Sequence, residues 1–288
     1  MSYIAQDAVL GGATIAQIMR SRLSLENKFE RRAAAGATAA SLITLVESEP
    51  MISITTSDIA AILASIPVAT GVAVAAGTVT FPVRARAQGS TFAGAGGHYT
   101  VSGANGLGII NSITAKQGDV AAEADVDFKF FSTDGLTSPV TENPSQSLSS
   151  GTFNAEHSLA TVEANSSAIA GVKSVTIRPG LKFHVERVGG AIYPTLVSLK
   201  VPFEPVIEVT CTELQTAIVA AITSIVVKLR KRADSGFVAG GTAQHISFTF
   251  SGGVTEVDTI EAGDDGDGSK TYRFHGTALT TAVNATFS

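Results

Sequence analysis

The stretch "EPMISITTSDI" (49–59) returns as "EPVIEVTCTEL" (204–214), 155 positions further along a chain of 288 residues. After the shared Glu-Pro, Ile52 and Ile54 fall on Ile207 and Val209, with more polar residues between them. That period of two is the signature of a strand with one face buried. Both stretches then run into an acid-led apolar segment, "DIAAILASI" (58–66) and "ELQTAIVAAI" (213–222). Each reads as a short helix, with Ser57 and Thr212 as N-caps and the acid at the positive end of the helix dipole.

The echo extends outward. "RLSLENKFER" (22–31) lies over "RPGLKFHVER" (178–187), so that Arg22 falls on Arg178, Leu25 on Leu181 and Glu30-Arg31 on Glu186-Arg187. "SLITLVESEP" (41–50) lies over "LVSLKVPFEP" (196–205), "VRARA" (83–87) over "LRKRA" (229–233), and "DVDFKF" (125–130) over "TYRFHG" (271–276). The offset falls from 156 to 155 to 146, which puts extra residues into the first copy near 67–77. The expected fold is mainly β: two tandem similar domains, each a sandwich or small barrel with a short flanking helix. The expected boundaries are an N-terminal arm (1–20), a first copy (21–131), a Ser/Thr/Asn/Pro-rich linker or surface loop (132–166) and a second copy (167–288).

Composition agrees with a folded β-rich chain: 44% hydrophobic, 16% charged, with Val, Ile and Thr in short runs broken by Gly. A net charge of −5 provides no basic footprint for sequence-reading nucleic-acid binding. A single cysteine, Cys211, leaves no intramolecular disulfide and no Cys-based zinc site. "MSYIAQDAVLGG" (1–12) lacks the basic start and apolar block of a signal peptide. The apolar run 59–77 has the length of a membrane span, but Pro67 and Gly71 interrupt it. A short helix, a turn and a strand are expected there, and no membrane partner.

Reactive groups are sparse. The five histidines form no HExxH and no paired metal spacing, and only His98 and His245 fall near equivalent positions. "GANGLG" (103–108) reads as a turn, and "DTIEAGDDGDGS" (258–269) as a tight Asp/Gly hairpin rather than a calcium loop. Cys211, standing where the first copy has Thr56, reads as a small buried filler. Neither a cofactor, a metal nor an enzymatic activity is expected.

Charges form the remaining pattern. Arg84 and Arg86 share one side of a strand, as do Arg230 and Arg232, while Lys231 breaks the apolar side and suggests an edge strand. The candidate inter-subunit or lumen charges are Arg84, Arg86, Asp125, Asp127, Arg230, Arg232, Asp264, Asp265 and Asp267.

The segment "GGAIYPTLVSLKVPFEPVIEVTCTEL" (189–214) resembles segments of tail tube-like structural proteins of tailed bacteriophages. The first copy keeps "EPMISITTSDIAAIL" (49–63) but has "AAS" (39–41) where the second has "YPT" (193–195). The resemblance implies a β-sandwich or barrel and a virion location. Three such chains would close a ring with pseudo-sixfold symmetry, and rings would stack into a tube that passes DNA without reading its sequence. It further implies a continuous inner barrel, an acidic lumen that repels DNA phosphates, and ring-to-ring contacts through the arm, the 132–166 loop and the 67–77 insertion. Other virion roles, such as tail hub or capsid decoration, and a surface adhesin share these traits.

Overall fold

The computed structural model describes residues 2–35, 39–40, 42–74, 79–86, 97–118, 120–148, 151, 153–212, 222–233, 236–261 and 268–287. The chain opens with β1 (Ser2–Ala5), β2 (Ala8–Leu10), β3 (Ala13–Ile15) and β4 (Ile18–Ser24). A hairpin of β5 (Lys28–Arg32) and β6 (Leu42–Glu47) leads to β7 (Met51–Thr56) and α1 (Ile59–Ser65). Then come β8 (Val72–Val74), β9 (Val79–Arg86), β10 (His98–Gly103), β11 (Gly106–Lys116), β12 (Glu123–Phe130) and β13 (Val140–Gln146).

The second half opens with β14 (His157–Ala164), β15 (Ser167–Ala168) and β16 (Val172–Arg178). A hairpin of β17 (Phe183–Glu186) and β18 (Leu196–Leu199) leads to β19 (Val206–Cys211). The chain closes with β20 (Ser224–Ala233), β21 (Gly236–Phe237), β22 (His245–Glu261) and β23 (Ser269–Ala285). The fold is therefore mainly β, with large antiparallel sheets and, among the described residues, one short helix.

Strand pairing repeats from half to half. Ile18, Arg20 and residues 21–24 of β4 lie opposite Thr56, Thr55 and residues 54–51 of β7, with a bulge at position 19. Val172, Ser174 and residues 175–178 of β16 lie opposite Cys211, Thr210 and residues 209–206 of β19, with the bulge at 173. Pairing of β11 with β12 shifts between Ile110 and Ser112; pairing of β22 with β23 shifts between Val257 and Thr259, 147 positions later. Hairpin Phe29↔Leu45 to Arg32↔Leu42 is matched by Phe183↔Leu199 to Glu186↔Leu196, all 154 positions later. Val83 faces Tyr99 as Leu229 faces Ile246. Left-handed backbone recurs as well, at Gly11 and Asn165, Gln17 and Gly171, Glu26 and Gly180, and Asn105 and Gly252. Bulges change local twist and end regular pairing, so shared bulge positions tie the two halves together more closely than shared residue types do.

The halves share one sheet instead of standing as separate bodies. Its strand order runs β15-β14-β20-β22-β23-β19-β16-β11-β12-β7-β4. The central join is β16 on β11, with Ile177 opposite Ile113 and Thr176 opposite Thr114. A second sheet, β13-β10-β9-β2-β3 with β1 on β9, faces the first half. Phe81 from this sheet meets Phe128 across the core, ring centroids 5.8 Å apart. The expected 1–20 arm is thus built into sheets as β1–β3 and the start of β4, and residues 132–166 carry all of β13 and β14.

Two further expectations change. Pairing sets Arg22 at the place of Thr176 and Phe29 at that of Phe183, so the matched block at 22–31 slips by two residues. A two-residue slip leaves every side chain on its original face, so alternation cannot detect it. The N-cap of α1 is Asp58 and not Ser57: Asp58 accepts the Ala61 N–H at 3.3 Å, and Oγ1 of Thr56 accepts the Asp58 N–H at 3.0 Å. Residues 213–221, where a second helix is expected, lie outside the described residues. No described helix is long and apolar enough to cross a membrane; the 59–74 stretch forms α1, a turn and β8.

Candidate assembly surfaces

Alternation gives the joined sheet two unlike faces. On β7, β12, β19 and residues 269–276 of β23, every second residue is buried, including Ile52, Ile54, Val126, Phe128, Ile207, Val209, Tyr272 and Phe274. The residues between them form a half-exposed polar face. There, Asp125 accepts hydroxyls from Thr55 (2.7 Å) and Ser112 (3.1 Å), and Asp127 accepts the Asn111 amide. Their equivalents in the second half are Thr271 and Arg273. Thr271 shares a hydroxyl contact with Thr210 at 3.0 Å, while Arg273 reaches Glu208, Glu256 and Asp258 at 2.9, 3.4 and 3.1 Å. The polar face is therefore of mixed charge. Burial pushes the Glu208 carboxyl up, but Arg178 and Arg273 outweigh it and hold the group below the usual carboxylate range.

The other candidate charges are placed separately. Arg84 is half-buried on β9. The side chain of Arg86 and residues Asp264, Asp265 and Asp267 lie outside the described residues. Arg230, the equivalent of Arg84, donates Nε–H to the Val238 carbonyl at 2.8 Å and sits 5.7 Å over the Phe237 ring. Arg232 approaches Glu156 at 3.7 Å. Strand β20 is not an edge: β14 and β22 flank it, and Lys231 turns to Gln244 at 2.9 Å near its end. Among the described candidate charges, Asp125, Asp127, Arg230 and Arg232 each meet different partners.

Three of the histidines serve the core. His98 and His245 occupy equivalent positions, and both are buried, as is His157. His245 accepts the Lys231 N–H at Nδ1 (3.1 Å), donates Nε2–H to the Ala239 carbonyl (2.9 Å) and stacks on Phe287. Among the described residues no group of three His, Cys, Asp or Glu side chains is placed to hold a metal ion. Cys211 is buried, opposite Lys270.

Sequence reading missed the hairpins. Hairpin β17–β18 folds over the outer face of the first half, where Leu181 and Val197 bury Leu107 and Ile109, with Phe183 and Leu199 packed alongside. Arg187 anchors it through Glu49 at 2.8 Å and Glu47 at 3.3 Å, and Lys129 adds a 2.5 Å contact to Glu49. Burial raises the Glu49 carboxyl, but Lys129 and Arg187 more than compensate and keep it low. The equivalent hairpin β5–β6 has no such cover: Phe29, Leu42 and Ile43 are more than half exposed. The apolar Phe29 within a run of charges, "KFERR" (28–32), was the available signal.

Compared with known proteins, the sequence matches no family model and no curated protein.

Proposed function

We propose that this chain is a structural virion protein of the tail tube type, which self-assembles into stacked rings that pass DNA. The observation that carries the reading is the joined sheet. Two blocks with the same strand order, β22-β23-β19-β16 and β11-β12-β7-β4, meet edge to edge and present one apolar and one polar face. A sheet extended by like units has its edges covered at each join, and closing it into a barrel removes edges altogether. The resemblance of residues 189–214 supplies the virion context. On this reading the polar face carrying Asp125, Asp127 and Glu208 lines the lumen, where carboxylates repel phosphates and interleaved arginines set register.

Negative-stain electron microscopy of the purified chain tests this. Hollow rings or tubes with threefold chain symmetry are the expected result. A monomer at every concentration overturns the reading, and a solid or differently shaped assembly moves it to a hub or decoration role.

A further inference from the structure

The in-chain join has unmatched counterparts at the two ends of the molecule. Strand β16 covers the far edge of β11, and hairpin β17–β18 covers the face beside it. At one end, β4 (the equivalent of β16) closes the strand order, with hairpin β5–β6 beside it. At the other end, residues 253–261 of β22 (the equivalent of β11) pair among the described residues with β23 alone.

Exposure follows this division. Val197 is 7% exposed while its equivalent Ile43 is 58% exposed; Leu107 is 8% exposed while Val254 is 69%. Ile113, at the join, is 1% exposed, whereas Ile260 is 62%. Residues that are core at the middle of the chain are surface at its ends.

We propose that copies of this chain join head to tail, with β4 and hairpin β5–β6 of one copy docking on β22 of the next. This rests on the self-assembly reading above and names the surfaces that perform it. Shifting the β16·β11 register onto the ends sets Leu23 opposite Ile260 on the core face and Arg22 opposite Glu261 on the polar face. The first pair repeats the buried Ile177–Ile113 contact; the second replaces Thr176–Thr114 with opposite charges. Hairpin residues Phe29 and Ile43 then cover Val254, as Phe183 and Val197 lie with Leu107. Charges at the two ends are already paired within the chain, Lys28 with Glu47, Arg32 with Glu30 and Asp258 with Arg273, so the electrostatic match across the contact is Arg22 with Glu261. The two surfaces differ, so the contact is heterologous and propagates until a rotation closes it.

Engineered cross-linking and charge reversal test the inference on the full chain. Oxidation of a Leu23→Cys/Ile260→Cys variant should give a ladder of linked chains on a non-reducing gel, and neither single variant should do so. Arg22→Glu and Ile43→Asp should each abolish assembly while leaving the melting temperature of the single chain unchanged. Adding Glu261→Arg to Arg22→Glu should restore assembly. If the wild-type chain assembles, yet the double-cysteine variant gives no ladder and the reversals assemble normally, the named surfaces are wrong and self-assembly stands. If the wild-type chain never assembles, both fall together.

Discussion

His157 shows what one buried side chain does to the pH response. It is 3% exposed, its Nε2 lies 3.2 Å from the Gln244 carbonyl, and its Nδ1 has no hydrogen-bond partner. Burial pushes its pKa below the ordinary value, against the smaller opposing effect of the carbonyl. The unfolded chain therefore binds this proton at higher pH than the folded one. Stability from this group is full above about pH 6.5 and falls as pH drops from there toward the folded pKa. Urea unfolding of the wild type should show this loss between pH 7 and 5, and His157→Asn should flatten it. The carboxylates Glu49 and Glu208 act in a separate, lower window, since their depressed pKa values withdraw stability only as pH falls below about 4.5.

Among elements, α1 depends most on a single residue. Its cap, Asp58, is 1% exposed and also accepts the Ala16 N–H at 3.1 Å and the Asn154 amide at 2.7 Å. One carboxylate thus ties the helix start to the β3–β4 connection and to the segment before β14. Asp58→Ala removes the cap and strands a buried N–H, and should cost about 2–4 kcal/mol in chemical denaturation. Sequence made the strands around it legible. Residues 51–56 and 206–211 alternate so regularly that their burial follows residue by residue. What it did not disclose was the start of each repeat. Counting 154 positions on from β1–β3, no residue type is shared until Ile15 and Ile169, yet the pairings correspond. Backbone pairing fixes a strand's place without fixing its side chains, so this correspondence leaves no trace in residue type. Ser57 and Asp58 are both good caps in sequence, and what distinguishes them is the Ala61 N–H that Asp58 accepts, with the Thr56 hydroxyl holding the Asp58 backbone.

At the scale of the molecule, equivalent residues have unequal surroundings. Val197→Asp would bury a charge among Leu107, Ile109 and Leu181, and should destabilise the chain by about 2–4 kcal/mol. Ile43→Asp, at the same place in the other hairpin, should change single-chain stability by no more than about 0.5 kcal/mol. Thermal unfolding of both variants at low concentration checks the contrast. The candidate charges were visible in the sequence, but the partners of Asp125, Asp127, Arg230 and Arg232 were not, because spacing along a strand fixes a face and says nothing about which neighbour lies across it.

Fusing two like blocks through the β16·β11 join has an arithmetic consequence. Any closed assembly of whole chains contains an even number of blocks, so odd-membered circles are forbidden by covalent connection alone. In such an assembly half of the seams would be sealed during folding, which would leave each newcomer one encounter to complete where two unfused blocks would need two.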